Sequence, residues 1–113
     1  MEKRFWISFD LGIQGDYSHM YSWLDNHDAI ECGDGNAFVK FTLSNTMTDD
    51  EFLSNLKEDL EKSISFRQGD RIYVIVYVEE KKNVMGRFII GKRKASPWEG
   101  YGDNKGDDSS DEA

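Results

Sequence analysis

The 113-residue chain contains one cysteine, Cys32, and two histidines. A single thiol cannot close an internal disulfide, which points to a reducing compartment, the cytoplasm. One cysteine and two histidines also lack the ligand spacing of a zinc site. No apolar run approaches the roughly 18 residues of a membrane span, so no membrane partner is expected. The opening Met1-Glu2-Lys3-Arg4-Phe5 has neither the apolar core nor the cleavage site of a secretory signal. There is no phosphate-cradling glycine loop, because Gly12-x-x-Gly15 is too short for a dinucleotide fingerprint. No internal repeat occurs.

What remains is the composition of one small packed domain, with 38% hydrophobic and 13% aromatic residues. The net charge of −8 is unevenly spread. Glu99 to Ala113 carries six acids against Lys105, while Lys81 to Lys94 carries six bases and no acid. Overall acidity argues against indiscriminate DNA binding but leaves room for a local phosphate-binding patch. The predicted domain spans 1–95, followed by an acidic tail, 96–113, too polar to bury anything and read as disordered.

Periodicity gives the elements. Phe5, Ile7 and Phe9 alternate with Trp6, Ser8 and Asp10 as a strand. Tyr17, Met20, Tyr21 and Leu24 fall on one helical face, predicting a helix over 17–27 capped by Asp16 or Ser18. Ala29–Cys32 and Ala37–Leu43 are strands around a Gly33-Asp34-Gly35-Asn36 hairpin tip. Thr48-Asp49-Asp50-Glu51 matches a capping box, and Phe52, Leu53, Leu56, Leu60 and Ile64 continue it as a helix over 49–64. Arg71–Val78, β-branched and aromatic throughout, is predicted central and buried on both faces. Val84–Ile90 is an additional strand.

This order is the split pattern of an α+β, ferredoxin-like βαββαβ fold: a four-stranded antiparallel sheet with two helices on one face, plus the extra C-terminal strand. The other face stays open and presents Trp6, Ser8, Phe38 and alternate residues of 71–78. An aromatic open face calls for a partner, commonly a second copy of the chain.

Phe5-Trp6-Ile7-Ser8-Phe9-Asp10, a first strand ending in aspartate, is followed by a loop and by Tyr17-Ser18-His19-Met20-Tyr21-Ser22-Trp23-Leu24. With Ala37-Phe38-Val39, the Phe52–Leu60 helix and the Arg71–Val78 strand, these segments resemble the CRISPR-associated small ferredoxin-like nuclease family and its stand-alone relatives. Trp98-Glu99-Gly100-Tyr101 resembles the C-terminus of those relatives, and VapD-type ribonuclease toxins share the fold. The resemblance covers roughly residues 4–90 and lies mainly in pattern. It implies a homodimer in which Asp10, paired across the dimer, holds Mg²⁺ or Mn²⁺ for phosphodiester hydrolysis. It also implies that many members act as adaptors without catalysis.

The residues add their own candidates. A carboxylate at a strand end beside a glycine loop can hold magnesium, and equally can cap a loop. His19, close in sequence to Asp10 and Asp16, suits a general base or a plain helix-surface position. Lys81, Lys82, Arg87, Lys92, Arg93 and Lys94 could follow a phosphate backbone of RNA or DNA, or merely protect an edge strand. The acidic tail could mask that basic stretch. Cys32 reads as a small packing residue, and His27 as a cation at a helix C-terminus. Two functions follow: a dimeric nucleic-acid-associated protein with metal-dependent endonuclease chemistry, or a non-catalytic module that binds a protein partner.

Overall fold

The computed structural model describes residues 1–103. In chain order the elements are β1 (Glu2–Asp10), α1 (Tyr17–Asn26), β2 (Ile30–Glu31), β3 (Asn36–Thr42), α2 (Asp49–Ser63), β4 (Arg71–Val78) and β5 (Asn83–Ile90). The strands form one open sheet in the order β2-β3-β1-β4-β5, with every neighbouring pair antiparallel. The architecture is therefore α+β with two helices. The sheet has five strands rather than four, because the segment expected as an extra strand pairs along the whole of β4. Among the described residues no helix is long and apolar enough to cross a membrane.

Period-2 geometry sends alternate residues of each strand to opposite faces. Phe5 and Ile7 of β1, Val39 of β3, and Ile72, Val74 and Val76 of β4 all face the helices and are buried. Met20 and Trp23 of α1, with Phe52, Leu53, Leu56 and Leu60 of α2, close the core over them. Phe5 sits edge-on to both Phe41 and Phe52, at 5.3 and 5.4 Å between ring centres. The expectation that β4 is buried on both faces is corrected: Ile75 and Tyr77 are exposed, and only the alternate set is covered. Both helices lie on the same side of the sheet, so among the described residues no helix covers the other side of β4. The β4–β5 pairing shifts register between Ile72 and Tyr73, leaving Ile89 as an extra, buried residue against the core.

Local chemistry sets the helix ends. The Thr48 hydroxyl accepts from the Glu51 amide at 3.1 Å, and the Glu51 carboxylate accepts from the Thr48 amide at 2.9 Å, completing the expected capping box. Asp16 caps α1 and also accepts from the Ser65 amide at 2.9 Å, tying the start of one helix to the end of the other. That amide bond, reinforced by His19, holds the Asp16 carboxyl below its ordinary 3.8. Lys3, buried on the helix face, donates to Asp49 in the first turn of α2. Asp70 is buried as well, and its two carboxylate oxygens accept from the amides of Gly12 (2.9 Å) and Arg67 (2.8 Å). These bonds fasten the loop after β1 to the turn before β4, and so fix the corner where the two strands end.

Candidate functional site

The uncovered sheet face carries a row of residues that crosses all five strands. Register places Ile30 opposite Phe38, Phe38 opposite Trp6, Trp6 opposite Ile75, and Ile75 opposite Gly86. Trp6 is 46% exposed and Ile30 61%, with Phe38 half-buried between them. The Trp6 and Phe38 rings lie 5.0 Å apart at the middle of the sheet. On one side of this row Arg4 stands opposite Lys40, and both reach the Glu2 carboxylate, at 3.0 and 3.8 Å. On the other side, register pairs Asn36 with Ser8, Ser8 with Tyr73, and Tyr73 with Phe88.

At that second side the face deepens into a cleft. Ser8, Asp10, Arg71, Tyr73 and Phe88 form its floor, and the segment Arg93–Trp98 forms its wall, around about 590 Å³. Gly91 makes this wall. Its φ of +75° turns the chain back, and a β-carbon there would lie 2.5 Å from the Asp70 carbonyl and 2.8 Å from Arg71 Cγ. Gly86 shapes the floor, since the Tyr73 phenol occupies the space where a β-carbon would be. Tyr73 then packs edge-on against Phe88 at 4.7 Å.

Charge and aromatics are interleaved in the cleft. Arg71 donates from Nε and Nη2 to one oxygen of Asp10, at 3.0 and 2.6 Å, while its guanidinium lies 5.3 Å from the Phe88 ring centre. Arg93 lies 5.6 Å from the Tyr73 ring and 5.3 Å from Phe88. Stacking of this kind orients a guanidinium while leaving its N–H edge available for hydrogen bonds. Neither Arg93 nor Lys94 has a carboxylate partner among the described residues.

The expected site residues are distributed differently from their order in the chain. Asp10 lines the cleft, but its carboxylate is engaged by Arg71. His19 is on α1, across the sheet from the cleft, where it meets Asp16 at 2.9 Å. The two do not form an acid–base pair. Among the described residues no three His, Cys, Asp or Glu side chains are grouped to hold a metal ion. Among the described residues Asp10 is the one carboxylate lining this cleft, and Arg71 Nη2 donates to it at 2.6 Å.

The basic run is likewise divided. Lys81 and Lys82 occupy the β4–β5 turn, whereas Lys92, Arg93 and Lys94 follow the opposite end of β5. Eight residues of strand separate the two groups by roughly 25 Å. Arg87 projects to the helix face and donates to Asp50 at 3.1 Å. Only Arg93 and Lys94 of the six reach the cleft. Cys32 is exposed rather than packed, with its thiol 3.4 Å from the Ile30 carbonyl. His27 stands at the C-terminal end of α1, where its backbone amide caps the helix, and its ring stacks on Phe41 at 5.0 Å. The acidic segment 104–113, with its expected masking role, lies outside the described residues.

Sequence reasoning leaves Arg4 and the wall residue Trp98 out of this surface, and it does not single out Lys40, on the strand face of Phe38, or Arg71, in the 71–78 strand, as cations of it. A period-2 reading registered from Trp6 would have placed Arg4 beside it, but Arg71 is 61 positions from Asp10 and only pairing joins them. Compared with family models, curated proteins and solved structures, the chain matches none.

Proposed function

We propose that this chain binds single-stranded nucleic acid on the open face of its sheet, as a ferredoxin-like βαββαβ unit extended by β5. The observation that carries this reading is the exposed Trp6–Phe38 pair at the centre of the sheet, bordered by cations on both sides. The open-face strand positions and the cleft wall supply Arg4, Lys40, Arg71, Arg93 and Lys94 against Glu2 and Asp10, a local excess of positive charge on a chain of net −8. Bases are accessible for stacking only in an unpaired strand, and aromatic platforms flanked by basic residues bind such strands with little regard to sequence. Acidity elsewhere on the chain disfavours long non-specific contacts and confines a strand to this face.

The test is fluorescence anisotropy of labelled 12-nucleotide RNA and DNA with the full chain at low salt, against duplexes of the same length. Single strands bind more tightly than duplexes, and the Trp6→Ala/Phe38→Ala double variant loses roughly tenfold or more in affinity. Absence of binding at low salt, or binding indifferent to both substitutions, refutes the reading.

A second reading, a homodimer through the same face, is favoured by the exposed aliphatic residues Ile30, Ile75 and Val84, which base stacking does not require. Light scattering separates the two: a constitutive dimer that Ile75→Lys converts to monomer assigns the face to a second copy.

A further inference from the structure

We propose that the cleft at the β1–β4–β5 corner is a binding site for a nucleoside monophosphate unit, either free or as the phosphorylated end of a strand. The strand-end form rests on the nucleic-acid reading above; the free-nucleotide form stands without it.

Three observations carry the assignment. The first is charge. Among the described residues Arg71, Arg93 and Lys94 line the cleft with Asp10 as the one acid, an excess of two positive charges. A phosphomonoester carries about −1.5 to −2 near neutral pH, whereas an internal phosphodiester carries one negative charge. The cleft thus matches a terminal phosphate better than a linking one. The second is preorganisation. Phe88 and Tyr73 hold the two guanidinium groups in place, and among the described residues no carboxylate occupies the five N–H donors of Arg93. The third is shape. Trp98, 72% exposed, stands on the wall opposite the aromatic floor of Tyr73 and Phe88, and about 590 Å³ lies between wall and floor. That volume falls within the usual range for small-ligand clefts and offers a π-face to a planar base.

Asp10 completes the arrangement in a role other than metal ligation. Arg71 uses only one of its carboxylate oxygens, Oδ2. The second oxygen remains an acceptor for a ribose hydroxyl or a base amine. A carboxylate in that place also disfavours an anion bound in any position except against Arg93 and Lys94.

The experiment is isothermal titration of the full chain with AMP, UMP, adenosine and inorganic phosphate, paired with oligonucleotides bearing a 5′-phosphate, a 3′-phosphate or neither. AMP and UMP are expected to bind at least tenfold more tightly than adenosine and than inorganic phosphate. Arg93→Ala weakens AMP at least tenfold without altering the circular dichroism spectrum, while Lys81→Ala, at the far end of β5, leaves it unchanged. Because the second phosphate ionisation lies near pH 6, affinity also falls between pH 7 and pH 5. Adenosine binding as well as AMP, phosphate alone binding as well as AMP, or an indifferent Arg93→Ala overturns the proposal. Strand binding unaffected by an end phosphate, with no AMP binding, overturns it while leaving the nucleic-acid reading intact. AMP binding without any strand binding supports the cleft and removes that broader reading.

Discussion

Phe5 and Trp6 are neighbours in the chain and opposites in the fold. Phe5 is fully buried between Phe41 and Phe52, whereas Trp6 stands 46% exposed beside Phe38. The same division runs through β4, where Val74 and Val76 are sealed beneath the helices and Ile75 and Tyr77 meet solvent. On the covered face even the charged group is paired, Lys3 with Asp49, because an unpartnered ion there would be costly. On the open face Arg93 and Lys94 have no acidic partner among the described residues. One sheet therefore presents two different surfaces residue by residue: one face packs against the helices and holds the fold together, and the other leaves aromatic and basic side chains exposed. Contiguous uncovered apolar surface of this kind marks a contact site more often than chance exposure.

The sharpest way to break this contrast is to truncate both neighbours in turn. Phe5→Ala empties a packed site and should destabilise the domain by about 3–5 kcal/mol. Trp6→Ala should change stability by less than about 1 kcal/mol, since its ring is partly solvated already. Urea unfolding of the two variants measures the gap; equal losses would mean that the faces are not functionally distinct. Next in size, Asp49→Ala strands the Lys3 ammonium in the covered face and should lower stability by about 3 kcal/mol. The Lys3→Met/Asp49→Ala pair should recover most of that loss, which a double-mutant cycle reads directly.

The open face predicts a different ledger. Removing the Trp6 or Phe38 ring should weaken single-strand binding by about 1–3 kcal/mol per lost stack, while the unfolding midpoint stays near wild type. Smaller again, Thr48→Ala deletes half of the α2 capping box and should cost about 1 kcal/mol by thermal melting. The least effect concerns acid. Asp16 has a lowered folded-state pKa, so its contribution is fully present above its ordinary 3.8 and is lost as pH falls through the lower folded value. Asp16→Asn should flatten this acid limb of the stability profile, with no change in slope near neutrality.

Much of the fold was legible because it rests on local rules. The α2 capping box needs only Thr48 and Glu51 at the right spacing, and the amphipathic stripe of Phe52, Leu56 and Leu60 needs only helical periodicity. The bounds of β4 match the run Arg71–Val78 because glycine turns on one side and a charged turn on the other leave no alternative. Its environment was legible in part: two helices on one side of the sheet leave alternate residues of 71–78 open. But Tyr73, Ile75 and Tyr77 are as strand-prone as residues buried on both faces, so burial on both faces was expected as well and only the structure decides against it. The candidate site was less legible still. Its one foreseen carboxylate, Asp10, has a partner 61 positions away, and the six-base run reads as continuous although β5 separates its ends.

What the amino-acid sequence determined by itself was the alternation of strands and helices, their caps, and the alternation of Phe5 and Ile7 with Trp6 and Ser8 between the two faces of β1. These follow from backbone period, side-chain shape and hydrogen bonds within a few residues. What only the tertiary structure decided was the company each exposed residue keeps. Arg71 and Arg93 meet over Phe88, Asp10 is neutralised, His19 is sent to the far side, and Gly91 folds a wall across the corner. Those juxtapositions arise from strand order and register, in which residues distant along the chain become neighbours through backbone pairing.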